Sequence, residues 1–140
     1  MYQYSSSIEW KEEKKGTLTI EGKPDVTVVT PPEFDGHEGA HSPEDLFVAS
    51  IAGCTMTTFL AFAKKTRTKF SSFTCSAEGE AGMVGGQLKF TKITLTPQVS
   101  VPSEREKKHA LHVLNLLEKH CLISNSVNCT IELHPEVIIT

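Results

Sequence analysis

The sequence has no excess of positive charge, no apolar leader and no repeated segment, and each absence closes off a class of function. Fourteen Lys and Arg stand against 17 Asp and Glu, a net charge of -3, with an isoelectric point near 6.1. No basic field is available to grip a nucleic-acid backbone, and the pairs Lys14-Lys15 and Lys107-Lys108 are too short to make one. Met1 to Ser7 carries neither a basic start nor an apolar run, so no secretory signal is expected. No stretch is read as approaching the roughly 18 uncharged apolar residues of a membrane span. The expectation is a cytoplasmic protein away from the membrane. With no repeat, low-complexity tract or linker, the 140 residues are expected to form one domain, 1–140, with a single core.

Cysteine is sparse as well, four in all. In a chain that is not exported they are expected to stay reduced, which argues against a structural disulfide framework and leaves thiol chemistry open. Cys75 is in phase with Phe73 and Ala77, and Cys129 with Val127, Ile131 and Leu133. Alternation of that kind assigns both to the buried face of a strand, as packing residues. Cys54 and Cys121 differ: each falls on a helical stretch. A thiol on each of two helices suggests a redox pair, in which one sulfur meets an oxidant and the other resolves the product as a disulfide. The competing reading is that both are small buried hydrophobes.

Histidines give no metal site. His37, Glu38 and His41 in a loop, and His109 and His112 on a helix, lack a convincing third and fourth ligand. His120, beside Cys121, suits a helix C-terminus or modulates that thiol. No cofactor is expected.

What is present reads as an α+β chain. Tyr2, Tyr4, Ile8 and Trp10 share one parity, Leu18 and Ile20 form a second short run, and Val26 to Val29 a third after a turn at Glu21-Gly22-Lys23. A Pro/Gly loop, Pro31 to His41, is long enough to suspect a functional role, and its Phe34 is a candidate substrate-entrance or anchor residue. The first helix opens at Ser42, with Pro43 at its first position and Asp45 closing a capping box, and ends in the cations Lys64 to Arg67. From Leu46 to Ala63 it is apolar on almost every face, which predicts burial all round. Two long strands follow, about Phe70 to Ala81 and Gln87 to Val99, joined at Gly85-Gly86. A parity change between Phe90 and Ile93 predicts a bulge. The second helix opens with a capping box at Ser103 and Glu106, and its apolar stripe Ala110, Val113, Leu114, Leu117 runs on to Cys121. A last strand spans Val127 to Ile139. The fold class is α+β, an antiparallel sheet against a long buried central helix and a second helix. One small sheet cannot cover such a helix, so a second copy is expected to.

A reactive Cys54 needs its thiolate. It lies three turns into its helix, beyond the N-terminal dipole, and burial raises its pKa, so a nearby cation is expected. Glu44 precedes it by ten residues, about 15 Å along a straight helix at roughly 1.5 Å per residue. The two therefore meet only across a dimer or through a bend at Gly53. Alternatively, Glu44 simply stabilises the helix dipole.

Ser42-Pro43-Glu44-Asp45-Leu46-Phe47-Val48-Ala49-Ser50, running into Ala52-Gly53-Cys54, resembles the segment leading to the reactive cysteine of the OsmC/Ohr family. His120-Cys121-Leu122-Ile123-Ser124-Asn125 is similar to the segment around its second cysteine. The resemblance implies an intertwined homodimer and a thiol peroxidase acting on organic hydroperoxides, with a small dithiol or dithiol protein as reductant. By position it implies Cys54 as the attacking thiol, Cys121 as the resolving one and Glu44 as the orienting carboxylate. The family's peroxidases carry an Arg in the N-terminal strands, whereas Met1 to Ala63 has none. Lys14 and Lys15 are nearest in position, and Leu122 stands where Pro is usual. These departures are those of a divergent OsmC-like branch. The alternative function is a non-catalytic OsmC-like protein binding a small apolar ligand at the dimer interface.

Overall fold

A computed structural model describes all residues, Met1–Thr140. The chain packs as two compact units, Met1–Phe47 and Val48–Thr140.

The N-terminal unit is a three-stranded antiparallel sheet of β1 (Ser7–Glu12), β2 (Lys15–Thr19) and β3 (Val26–Val29) in sequence order. The three runs read from the sequence are these strands, but β1 is exposed along its whole length, with Ile8 62% and Trp10 72% accessible. Beyond β3 the loop makes a single 3-10 turn at Pro32–Phe34 and returns to bridge His41 to Val28. Ser42 then starts the first helix, α1 (Pro43–Lys65), by the expected reciprocal box. Its N–H donates to Asp45 Oδ2 at 2.9 Å, and the Asp45 N–H donates to Ser42 Oγ at 3.1 Å.

The larger unit carries the core. Strands β4 (Ser72–Val84) and β5 (Gln87–Val101) form a long antiparallel hairpin. Gly85 and Gly86 both have positive φ, 58° and 82°, as a two-residue turn matched to strand twist requires. The bulge falls where parity changes: Thr91 has no opposite partner, because Glu80 pairs Lys92 while Ala81 pairs Phe90. The remaining α1 residues lie against this sheet. A Cβ on Gly79 would come within 2.8 Å of both Phe90 and Val48, so only glycine allows α1 this close.

Helix α2 (Glu104–His120) begins as expected, with Ser103 Oγ accepting the Glu106 N–H at 3.2 Å. The return half of its box is missing, because the Glu106 carboxylate accepts the Lys69 N–H instead and ties α2 to the segment after α1. Phe59, Val99, Val113, Leu114 and Leu117 form the core with Val101 and Ala110. Phe59 stacks on Phe73 at 4.8 Å and meets Phe70 edge-on at 5.1 Å, each pair worth about 0.5–1.5 kcal/mol beyond area burial.

After the short α3 (Leu122–Asn125), the last strand is divided into β6 (Thr130–Leu133) and β7 (Glu136–Ile139). Both pair β5, and the break falls at Pro97 and Pro135, which have no N–H for a ladder. Both pairings are parallel, so this sheet is mixed rather than wholly antiparallel. The reason is the helical crossover, α2 and α3, which returns the chain in the direction of β5.

Burial of α1 also differs from expectation. Within one chain only Ile51, Thr55, Phe59 and Ala63 are buried, a single stripe, while Met56 and Leu60 are 42% and 41% exposed. One sheet covers one side of a cylinder. The membrane expectation needs correcting as well: by length and composition alone α1 is a candidate span, since Leu46 to Ala63 contains no charged residue. Ser, Thr and Gly interruptions hid that run, and an apolar core helix passes the same test.

Candidate functional site

Cys54 and Cys121 come together in the larger unit. The apolar stripe of α2 carries Cys121 inward, to 2% exposure, while Cys54 is half-buried midway along α1. Cys121 ends one helix and starts the next. Its N–H donates to the Leu117 carbonyl at 3.1 Å, and its own carbonyl accepts the Asn125 N–H at 3.0 Å. The first N–H groups of α3, on Leu122 and Ile123, have no acceptor within their helix. Both contribute to holding the Cys54 thiol down.

That arrangement sets the acidity of the pair. Burial pushes the Cys54 thiol up, but hydrogen bonds from the Cys121 thiol, the Ile123 N–H, the Thr58 hydroxyl and the Leu122 N–H together hold it below the ordinary thiol value. Thr58, one turn along α1, lies 3.8 Å away. Cys121 moves the other way: burial raises it, and donation to Cys54 raises it further, against the hydroxyl and N–H of Ser124. The two thiols are therefore shifted in opposite directions, Cys54 toward ionisation and Cys121 away from it. Four neutral donors lower the Cys54 pKa without the cation expected from the sequence.

Glu44, Lys14 and Lys15 gather in the N-terminal unit, lining one cavity of about 600 Å³ with Ile8, Trp10 and Phe34. Lys14 is committed to Asp35, donating to its carbonyl at 2.6 Å and its carboxylate at 3.3 Å. Lys15 makes no such pair, and the Glu44 Oε1 atom is buried without a hydrogen-bond partner. The loop aromatic singled out in the sequence, Phe34, is part of the cavity wall. His37 and His109 sit beside carboxylates, Glu13 at 3.4 Å and Glu106 at 3.5 Å.

Of the remaining thiols, Cys75 is half-buried on β4 in phase with Phe73 and Ala77, and burial raises its pKa, against a hydrogen bond from the Thr96 N–H. Cys129 departs from its expected place. It precedes β6 rather than lying in it, and with Cys121, Ser124 and Glu118 it lines a second cavity of about 270 Å³, otherwise walled by Thr55, Leu95, Leu117, Ile131 and Leu133. Alternation with Ile131 and Leu133 gave the side it faces correctly. The polar run Ser124-Asn125-Ser126 and Asn128 was the signal that this segment is a connection rather than a strand.

The fold is shared with proteins of known structure. An OsmC-like protein of unknown function from Vibrio cholerae is 26% identical, covering 96% of this chain and 99% of that one, with a TM-score of 0.87. An OsmC-like protein from Mycoplasma pneumoniae gives a TM-score of 0.82 at 17% identity, covering 98% of each chain. An organic hydroperoxide resistance protein from Elizabethkingia anophelis gives 0.78 at 18% identity, covering 100% of this chain and 98% of that one. None of the curated proteins matches. The family model for OsmC-like proteins matches residues 36–136, which include Cys54, Cys121 and Glu44. The chain belongs to the OsmC-like protein family.

Proposed function

We propose that this protein is a thiol peroxidase for organic hydroperoxides, with Cys54 as nucleophile and Cys121 as resolving thiol. The observation that carries this reading is the meeting of Cys54 and Cys121 in the larger unit, where burial raises the second thiol and several donors hold the first down against its own burial. The Cys54 thiolate attacks the terminal oxygen of the hydroperoxide. The O–O bond breaks, the alkoxide leaves and takes the Cys121 proton to become the alcohol, and Cys54 becomes a sulfenic acid. The Cys121 thiolate then attacks the Cys54 sulfur, hydroxide leaves and takes a proton from solvent as water, and a disulfide forms. A small dithiol or dithiol protein returns both thiols by exchange. Membership of a family that includes structures named organic hydroperoxide resistance proteins supports the substrate class.

In this reading the working unit is a homodimer. The half of α1 bearing Met56 and Leu60 is apolar and uncovered within one chain, and a second copy is the simplest cover. Glu44 and Lys15 then serve the cysteines of the partner, lysine standing in for the family's arginine without its planar fork. The apolar cavity walls of Ile8, Trp10 and Phe34 favour the alternative, a protein that binds a small apolar ligand without turnover. One experiment separates them: in reduced protein given one equivalent of cumene hydroperoxide, two thiols are expected to disappear per peroxide consumed. An unchanged thiol count favours the binding reading.

A further inference from the structure

Cys121 faces two ways. On one side it neighbours Cys54, and on the other it lines the cavity of about 270 Å³ that also holds Cys129 and that Cys54 does not line. Cys129 is half-buried and lies in the irregular connection after α3, one residue before the β6 ladder begins at Thr130. Its backbone is therefore not pinned by strand pairing, and Cys129 and Cys121 line the same cavity. We propose that Cys129 is a second resolving thiol, which takes the disulfide from Cys54–Cys121 by exchange and leaves Cys121–Cys129 linked. This inference rests on the peroxidase reading, because peroxide supplies the first disulfide.

The exchange balances without a further oxidant. The Cys129 thiol loses its proton to solvent and its sulfur attacks that of Cys121. The Cys54–Cys121 bond breaks, and Cys54 leaves as a thiolate. Attack falls on Cys121 because only that sulfur shares the cavity. Departure of Cys54 is favoured because Thr58, Leu122 and Ile123 still donate to it once Cys121 has lost its proton. A thiolate stabilised in this way is the better leaving group. The outcome separates the two substrates: Cys54 is free again on its own side, while the disulfide waits in the cavity for its reductant.

Trypsin reads the exchange directly. No Lys or Arg follows Lys119, so Cys121 and Cys129 share the peptide His120–Thr140, whereas Cys54 lies in another. Reduced protein is given one equivalent of cumene hydroperoxide, quenched in acid at intervals, alkylated and mapped by mass. An early cross-link between two peptides is expected to give way to an internal link in His120–Thr140, with Cys54 alkylatable again. In Cys129→Ala, checked for folding by circular dichroism, the early cross-link is expected to persist. A cross-link that lasts as long in the wild type as in Cys129→Ala overturns the exchange and leaves the peroxidase reading standing. If peroxide consumes no thiol, the peroxidase reading falls instead, and diamide supplies the disulfide. An internal link in the wild type but not in Cys54→Ser then supports exchange through Cys54. Its absence from both proteins, or its equal appearance in both, overturns it.

Discussion

The two units of this chain divide structure and charge unequally. Val48–Thr140 holds most of the core and all four cysteines, with Phe59, Val99, Val113 and Leu114 fully buried. Met1–Phe47 holds Glu44, Lys14 and Lys15, an entirely exposed first strand and few buried residues, among them Val29 and Ser42. The larger unit has the packing to fix a thiol pair in one geometry. The smaller one has charged groups in a wide apolar cavity but little core of its own. The contrast teaches that the two groups of candidate residues are built differently: the thiol pair sits among neutral donors in a packed unit, and the charged groups line a cavity with little core behind it.

The contrast can be attacked at several points. The largest effect is expected from Cys54→Ser, which should abolish both peroxide consumption and disulfide formation. In Cys121→Ser the reaction should stop at a sulfenic acid on Cys54, trappable with dimedone, and drift to sulfinic acid with excess peroxide.

Next come the cores. Phe59→Ala should cost about 3–5 kcal/mol in chemical denaturation. Trp10→Ala, at a site 72% exposed, should change the stability of a single chain by no more than roughly 0.5 kcal/mol. A comparable cost for the two would mean that the smaller unit is held by packing after all. Leu60→Glu should leave the chain folded but shift sedimentation from dimer to monomer, since an unpaired buried carboxylate costs several kcal/mol. A stable dimer of Leu60→Glu would show that this face is not the one covered.

Lys15→Met should slow peroxide reduction more than Lys14→Met, because Lys14 is already held by Asp35. Equal rates for wild type and both variants would remove the smaller unit from the chemistry.

The smallest expected effect concerns acidity. Cys54 is lowered and Cys121 raised, so near neutral pH Cys54 should be alkylated first, and the difference should narrow as pH climbs above the ordinary thiol range. A lowered folded-state pKa contributes stability that is present above the unfolded thiol value and lost as pH falls through the folded one. Thr58→Val should remove one donor and slow Cys54 alkylation at neutral pH severalfold, leaving Cys75 unchanged.

Much of this was legible in the sequence, where local chemistry dictates the outcome. The Ser42–Asp45 box, the Gly85-Gly86 turn, the bulge after Phe90 and the inward path of Cys121 all follow from side chains a few residues apart. What stayed hidden depends on neighbours distant in the chain. The parallel return of β6 follows from the helical crossover, and the second half of the α2 box was lost because Lys69 competes for Glu106. The Leu122 and Ile123 donors were invisible because a four-residue helix leaves no periodicity to read. Within one chain the groups that lower Cys54 are neutral donors, and the expected cation is not among them. The shallow burial of α1 reflects the limit of one chain, since an all-apolar helix specifies that it must be covered but not by what.

The central claim is that Cys54 is a peroxide-reactive thiolate resolved within its own chain. It is tested most directly by counting thiols in reduced wild type and in Cys54→Ser after one equivalent of cumene hydroperoxide. The expected result is two thiols lost per peroxide in the wild type and none in the variant. An unchanged count in the wild type, or an equal loss in Cys54→Ser, would contradict it.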